Sequence, residues 1–114
     1  MSKKKQLKVT TTDINGLVVK NDDRYIVTDN ITLNSMVVST TVLYPNKETK
    51  GHSHEGQEEV YTFISGKGSM MIGTNFYNVE AGDVLLIPDG EFHQVTNESH
   101  DNLVFLCVFG GSRA

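Results

Sequence analysis

Short runs of β-branched and aromatic residues recur along the chain, and no apolar pattern with helical spacing is sustained over two turns. Turn-forming residues, such as those of Gly66-Lys67-Gly68, separate the runs. This pattern predicts β-strands. The predicted strands are Leu17 to Val19, Tyr25 to Thr28, Met36 to Leu43, Val60 to Ser65, Ser69 to Ile72, Phe76 to Val79, Val84 to Ile87, Phe92 to Thr96 and Leu103 to Phe109. So many short strands predict an all-β sandwich, barrel or jelly roll.

Two of the predicted strands, Leu103 to Phe109 and Val84 to Ile87, are apolar at consecutive positions instead of alternating with polar residues. A sheet with one solvated face would alternate. One face of these strands can fill a barrel, and the other must be covered by a second sheet, the N-terminal segment or another subunit. A homodimer is the simplest such cover, and we therefore predict one.

The length and charge of the chain define its organisation. With 114 residues it is expected to form a single domain. Four lysines and no acidic residue lie in the first eight positions, whereas residues 9–114 contain six basic and fourteen acidic residues. We therefore predict a basic, mobile tail over residues 1–12 and a folded domain over residues 13–114. The net charge of −8 in the remainder argues against a nucleic-acid partner, because phosphate backbones would be repelled.

The single cysteine, Cys107, excludes an internal disulfide and a Cys-x-x-Cys motif, which fits a reducing compartment. We expect it to be a core residue, with a thiol near the active site as the alternative. The longest apolar run is far shorter than a membrane span, and the sequence MSKKKQLK is not followed by the apolar segment of a signal peptide. These features predict a soluble, cytoplasmic protein without a membrane partner.

Three of the four histidines lie in patterns that suggest metal chemistry. His52 and His54 form an H-x-H pair, which would place both imidazoles on one strand face because side chains alternate with a period of two. Glu59 follows at the start of a predicted strand that ends at Gly66, and His93 begins another predicted strand. For His100, which lies in a polar stretch, we expect an ordinary surface position.

These residues resemble the two motifs of the cupin superfamily, G-x5-H-x-H-x3-4-E-x6-G and G-x5-P-x-G-x2-H-x3-N. The second motif is matched at every fixed position, by Gly82, Pro88, Gly90, His93 and Asn97. The first is matched at His52, His54, Glu59 and Gly66, but Asn46 stands where the motif has its first glycine. Asparagine also tolerates left-handed backbone angles, so this departure is compatible with the resemblance.

The resemblance implies a cupin jelly-roll barrel, also called a double-stranded β-helix, that binds one divalent transition metal through His52, His54, Glu59 and His93. Three neutral imidazoles and one carboxylate suit Mn, Fe, Zn or Ni and leave open positions on the metal. The spacing also allows Glu58 as the acidic ligand, but counting back from Gly66 favours Glu59.

With Glu59 as a ligand, alternation along the strand would point Tyr61 and Phe63 into the barrel and Val60, Thr62 and Ile64 outward. The pocket would then be lined by this aromatic pair together with the small hydroxyl side chains of Ser39 and Thr41. For Phe63, packing in the core is at least as good an explanation.

The ligand set alone does not choose the reaction. The pattern T-x-G-H-x-H from Thr49 to His54, and E-x-Y-x4-G-x-G from Glu59 to Gly68, resembles the archaeal-type cupin glucose-6-phosphate isomerases. This suggests a metal-dependent isomerase or epimerase acting on a small sugar-like molecule, in which Glu58 or Tyr61 moves the proton. An Fe(II)-dependent dioxygenase and a non-catalytic sugar- or ligand-binding cupin are the alternatives.

The charge of the chain bears on the ligand that such a site could accept. Only Lys47 and Lys50 are basic residues near the predicted site, and the body of the chain is acidic. Long-range repulsion would slow the encounter with a highly charged substrate. A neutral or singly phosphorylated ligand is therefore expected.

Overall fold

The computed structural model of the protein describes residues 6–111, and every regular element in that range is a β-strand. The strands are β1 (Leu17–Asn21), β2 (Tyr25–Asn30), β3 (Met36–Leu43), β4 (Glu59–Ser65), β5 (Lys67–Ile72), β6 (Asn75–Glu80), β7 (Val84–Ile87), β8 (His93–Thr96) and β9 (Leu103–Gly110). The predicted strands are confirmed, and their ends differ from the prediction by at most two residues. No helix that could span a membrane occurs in the described range.

The strands form two antiparallel sheets. One has six strands in the order β1-β2-β3-β9-β4-β7, and the other has three in the order β6-β5-β8. Inward side chains of both sheets pack into a common core, in which Met70 and Val95 of the small sheet join Phe63 and Phe105 of the large one. This arrangement confirms the predicted all-β jelly roll.

The inner face of the large sheet changes character along its strands. At one end, Leu43 and Leu103 lie opposite each other and are fully buried. Toward the other end, the buried positions include Ser39 and Glu59, which are polar. Because buried polar groups require partners, this end of the barrel is where a binding site is expected.

The outward side chains of β7 are exposed in the single chain, and Leu86 is 69% accessible. In β9 the outward positions are only half-buried. Neither strand has its outer face fully covered by the described part of the chain. The homodimer stays a prediction, which light scattering of the purified protein would check.

Part of the predicted N-terminal tail, residues 1–5, lies outside the described residues. The positions from 6 to 13 are mostly exposed, and Ile14 is buried, with its carbonyl accepting a hydrogen bond from Asn30 Nδ2 at 2.6 Å. This contact anchors the chain to the body just before β1.

Asn46, the residue that departs from the first motif, has a φ of 61° and therefore adopts the left-handed conformation. The amide of Lys47 donates a hydrogen bond to the Tyr44 carbonyl at 3.3 Å, which closes a tight turn around Pro45 and Asn46. Asparagine thus performs the backbone role that a glycine has in the motif.

Asn97, the last fixed residue of the second motif, is fully buried and joins the end of β3 to the loop that follows β8. Its Nδ2 donates to the carbonyls of Leu43, Tyr44 and Asp101 at 3.0, 3.2 and 2.8 Å, and its Oδ1 accepts from the amide and hydroxyl of Ser99. Its role is therefore to hold the fold together rather than to contact a ligand.

Replacing Asn97 by alanine is expected to lower the free energy of unfolding by about 2 kcal/mol, because several backbone groups lose their partner. Urea unfolding would measure the change. Asn78→Ala, on the exposed face of β6, is the matched control and should change stability little. Equal stability of both variants would contradict this role.

Candidate metal centre

His52 and His93 are brought together by the backbone. The His52 amide donates to the His93 carbonyl at 3.2 Å, and the His93 amide donates to the His52 carbonyl at 2.9 Å. This isolated antiparallel bridge fastens the H-x-H segment to the start of β8. Glu59 begins β4 and faces inward, so all three side chains converge at the polar end of the barrel.

The potential ligand atoms of His52, Glu59 and His93 lie within 4.8 Å of one another. His93 Nε2 is 2.7 Å from Glu59 Oε2, and the rings of His52 and His93 have centroids 4.4 Å apart. Glu59 and His93 are buried, whereas His52 is partly exposed. Three of the four predicted ligands therefore share one compact site.

The hydrogen bonds of the two imidazoles determine which ring nitrogen is available. His52 Nδ1 donates to the Lys50 carbonyl, and His93 Nδ1 donates to the Glu91 carbonyl, both at 3.1 Å. A carbonyl can only accept, so Nδ1 carries the hydrogen in each ring. The lone pair of Nε2 remains for a metal, which is the arrangement usual for histidine ligands.

The unpaired atoms of the site fit a bound cation. Glu59 Oε2 and His93 Nε2 are buried, and although they approach to 2.7 Å, neither has a hydrogen-bond partner with acceptable geometry. Two electron-pair donors that face each other in a buried site need a positive charge between or beside them, which either a proton on His93 or a metal ion supplies. One carboxylate and neutral imidazoles suit a divalent transition metal.

The electrostatics of the site agree with this fit. Burial opposes the charge on Glu59, but the neighbouring imidazoles of His93 and His52 outweigh it and lower the pKa of Glu59. Burial, followed by the proximity of His93, lowers the pKa of His52. Burial likewise opposes the charge on His93, but the Glu59 carboxylate prevails and raises the pKa of His93. The site thus attracts positive charge to the space beside Glu59.

His54 lies beside this cluster but outside it. Its side chain is exposed, and its ring centroid is 4.6 Å from that of His52. The surrounding loop is anchored to the second motif, because the His54 carbonyl accepts from the Gly90 amide and Asp89 Oδ1 accepts from the Gly56 amide. The loop therefore holds His54 at the edge of the site.

A cavity of about 90 Å³ opens beside His52 and Glu59, which line it. As predicted, Ser39, Thr41 and Tyr61 line it, whereas Phe63 packs in the core and does not line it. Cys107 is both buried and part of its wall. The Tyr61 ring has its centroid 5.7 Å from that of His93 and stacks on Phe105 at 5.4 Å.

The two acidic residues considered as ligands have opposite orientations. Glu59 is buried, as the count back from Gly66 indicated, whereas Glu58 is exposed and does not line the cavity. Of the two candidates for proton transfer, the structure therefore brings Tyr61 to the site and leaves Glu58 outside the cavity wall.

The lysines near the cavity differ from those expected. Lys50 lines it, but Lys47 lies in a separate surface depression, with its ammonium 4.0 Å from Asp23. Lys20 of β1 lines the cavity and was missed. No short motif marks Lys20, because its placement depends on how β1 pairs with β2.

Comparison with known proteins agrees with this geometry. The cupin domain family matches residues 39–109. Glucose-6-phosphate isomerase of Pyrococcus abyssi is 32% identical over 84 residues, which cover 62% of this chain and 44% of the isomerase. The oxalate-binding protein of Thermotoga maritima is 33% identical over 66 residues, covering 58% of this chain and 54% of that protein. The chain thus spans less than half the length of the archaeal isomerase.

Solved structures show the same fold. A Klebsiella pneumoniae protein with a double-stranded β-helix domain superimposes with a TM-score of 0.79 at 20% identity, covering 93% of this chain and 90% of that one. Oxalate decarboxylase of Bacillus subtilis, which has Mn(II) centres, superimposes with a TM-score of 0.75 at 23% identity, covering 85% of this chain and 28% of that one. With both motifs in place on this barrel, the chain belongs to the cupin family.

Proposed function

We propose that the protein is a metal-dependent isomerase that acts on a small sugar-like molecule with neighbouring hydroxyl and carbonyl groups. The observation that carries the proposal is the cavity beside His52 and Glu59, which has a phenol and small hydroxyl side chains on its wall. Oxygen-rich ligands suit such a surface, because each hydroxyl can donate or accept a hydrogen bond.

His52, Glu59 and His93 would hold the metal through Nε2 and carboxylate atoms, and rotation of the exposed His54 side chain toward them would add a fourth ligand. A divalent cation would polarise a carbonyl and stabilise the negative charge of an enediolate. A cation with two charges and one carboxylate leaves a net charge of about +1, which favours that anionic intermediate.

Tyr61 is the residue of this chain that we assign to proton transfer. Its position on the inner face of β4, next to His93 and stacked on Phe105, fixes the ring while its phenol belongs to the cavity wall. In isomerisation the proton leaves the hydroxyl-bearing carbon next to the carbonyl and is delivered to the carbonyl carbon, while the hydroxyl proton passes to the former carbonyl oxygen. A phenol held beside the reacting carbons can relay that proton.

The size of the cavity limits what it can enclose. A volume of about 90 Å³ is well below the roughly 300–1,000 Å³ of a typical small-molecule pocket. Only the reacting end of a sugar would therefore be enclosed, and the rest of the molecule would lie at the mouth. The similarity to the archaeal isomerase supports a sugar-like substrate.

The test is hydrogen exchange in D₂O. Protein loaded with Mn(II) in the absence of oxygen should transfer solvent deuterium to the carbon next to the carbonyl of a substrate sugar, and chelation should stop the exchange. Sugars and sugar monophosphates of three to six carbons form the screen. Iron-dependent O₂ consumption without exchange would contradict the proposal and indicate the dioxygenase.

A second candidate is binding of a small carboxylate without catalysis. The small cavity favours it, and so does the similarity to the Thermotoga oxalate-binding protein. Tight binding of oxalate by the metal-loaded protein, without exchange or turnover of any screened sugar, would favour this candidate over the isomerase.

A further inference from the structure

The pairing of β1 with β2 contains an irregularity next to the cavity. Leu17 lies opposite Asp29 and Val18 opposite Thr28, but the next pair is Lys20 with Val27. Val19 is therefore an extra residue in β1 that has no counterpart in β2. This is a β-bulge, a feature that often redirects a side chain beside a functional site.

The bulge decides which way Lys20 points. Residues that lie opposite each other in a ladder present their side chains on the same face. Val27 is buried on the inner face and lines the cavity, so Lys20 is directed to that face as well, and it too lines the cavity. In a regular strand, Lys20 would face the opposite way from Leu17 and thus away from the cavity.

Lys50 reaches the same cavity from the ligand loop. It lies two residues before His52, and its carbonyl accepts the hydrogen bond from His52 Nδ1. Lys20 belongs to a different element, the edge strand of the large sheet. Two cationic side chains from separate parts of the sequence therefore line one cavity.

Within residues 6–111, neither ammonium group has a carboxylate partner. Arg24 and Lys47 lie within 4.0 Å of Asp22 and Asp23, whereas no such ion pair occurs for Lys20 or Lys50 in the described range. In a chain with fourteen acidic and ten basic residues, two unpaired lysines at one cavity form a local positive region. Dissolved salt screens electrostatic interactions over a distance of about 8 Å, so acidic residues elsewhere on the surface have little influence on this region.

We propose that Lys20 and Lys50 bind an oxyanion, a carboxylate or a phosphate, at one end of a ligand whose other end reaches the metal site. The proposal deepens the proposed function, since the anion would belong to the substrate of the same cavity. The acidic surface suggested a ligand of little charge, but the charges that line the cavity favour an anionic one.

Isothermal titration calorimetry of the Mn(II)-loaded protein tests this inference without requiring turnover. The probes are two matched pairs: 2-phosphoglycolate with glycolate, and malonate with acetate. Each pair differs by one anionic group, a phosphate in the first and a carboxylate in the second. Lys20→Met and Lys50→Met should each weaken binding of a two-ended probe about tenfold and leave glycolate and acetate nearly unchanged.

Lys67→Met is the matched control, because it removes the same charge at the β4–β5 turn, away from the cavity. Circular dichroism and metal analysis on every variant separate loss of fold or metal from loss of anion binding.

A phosphate ligand is indicated if only 2-phosphoglycolate responds to the lysine variants, and a carboxylate ligand if only malonate does. The inference is overturned if the double variant binds both two-ended probes like the unmodified protein, or if the unmodified protein binds neither. Anion binding that depends on the lysines, without deuterium exchange into any sugar, would support this inference while rejecting the isomerase.

Discussion

Replacing His93 by alanine should reduce the metal content from about one equivalent per chain to a small fraction of it. His93 supplies a buried Nε2 whose lone pair faces Glu59 at 2.7 Å, and water would have to enter the buried site to replace it. The fold should persist, because the core between the sheets consists of apolar side chains that do not depend on the metal. Elemental analysis of protein purified without chelators measures the loss.

His100→Ala is the matched control, since His100 is exposed and lies outside the cluster of potential ligands. It should retain the full metal content. His54→Ala tests the proposed fourth ligand and should weaken metal retention less than His93→Ala. If metal content survived the combined replacement of His52 and His93, the assignment of the site would be wrong.

The metal site was largely predictable because each proposed ligand has a local determinant in the sequence. Period-two alternation and the distance to Gly66 selected Glu59, which the structure buries, over Glu58, which it exposes. His93 begins β8 and follows a loop that contains Pro88 and Gly90, whose φ is positive, and Gly82, also with a positive φ, lies before β7; this spacing is visible in the amino-acid sequence. Local backbone rules were sufficient for these residues.

Other features of the cavity depend on distant pairing. Lys20 faces the cavity because Val19 of β1 has no partner in the ladder with β2. The amino-acid sequence of β1 does not show where that bulge lies. The same reasoning explains Lys47, which is close to His52 in sequence but is directed toward Asp23 in the structure. The register between distant strands and the direction of a long side chain cannot be derived from the local sequence, and the structure is needed to define them.

The acidic surface was also an incomplete guide to the ligand. Net charge is a property of the whole chain, whereas binding responds to charges within about one screening length of the site. Lys20 and Lys50 reach the cavity from parts of the chain thirty residues apart, so composition could not have located them together.

Tyr61→Phe should lower the rate of deuterium exchange into a substrate sugar by roughly a hundredfold, the loss typical of a general acid or base. The variant keeps the ring that stacks on Phe105 and removes only the hydroxyl, so the fold and the metal content should be preserved. Exchange followed by NMR under saturating sugar reports the chemical step, and the effect should appear in kcat more than in KM.

Tyr77→Phe, on the exposed side of β6, removes a phenol hydroxyl that lies away from the cavity and should leave the rate unchanged.

Glu58→Gln tests the other candidate for proton transfer. Because Glu58 is exposed and does not line the cavity, its replacement should have little effect. A normal rate in Tyr61→Phe together with a large loss in Glu58→Gln would reverse the assignment. That result would mean that the ligand loop turns Glu58 inward when substrate binds.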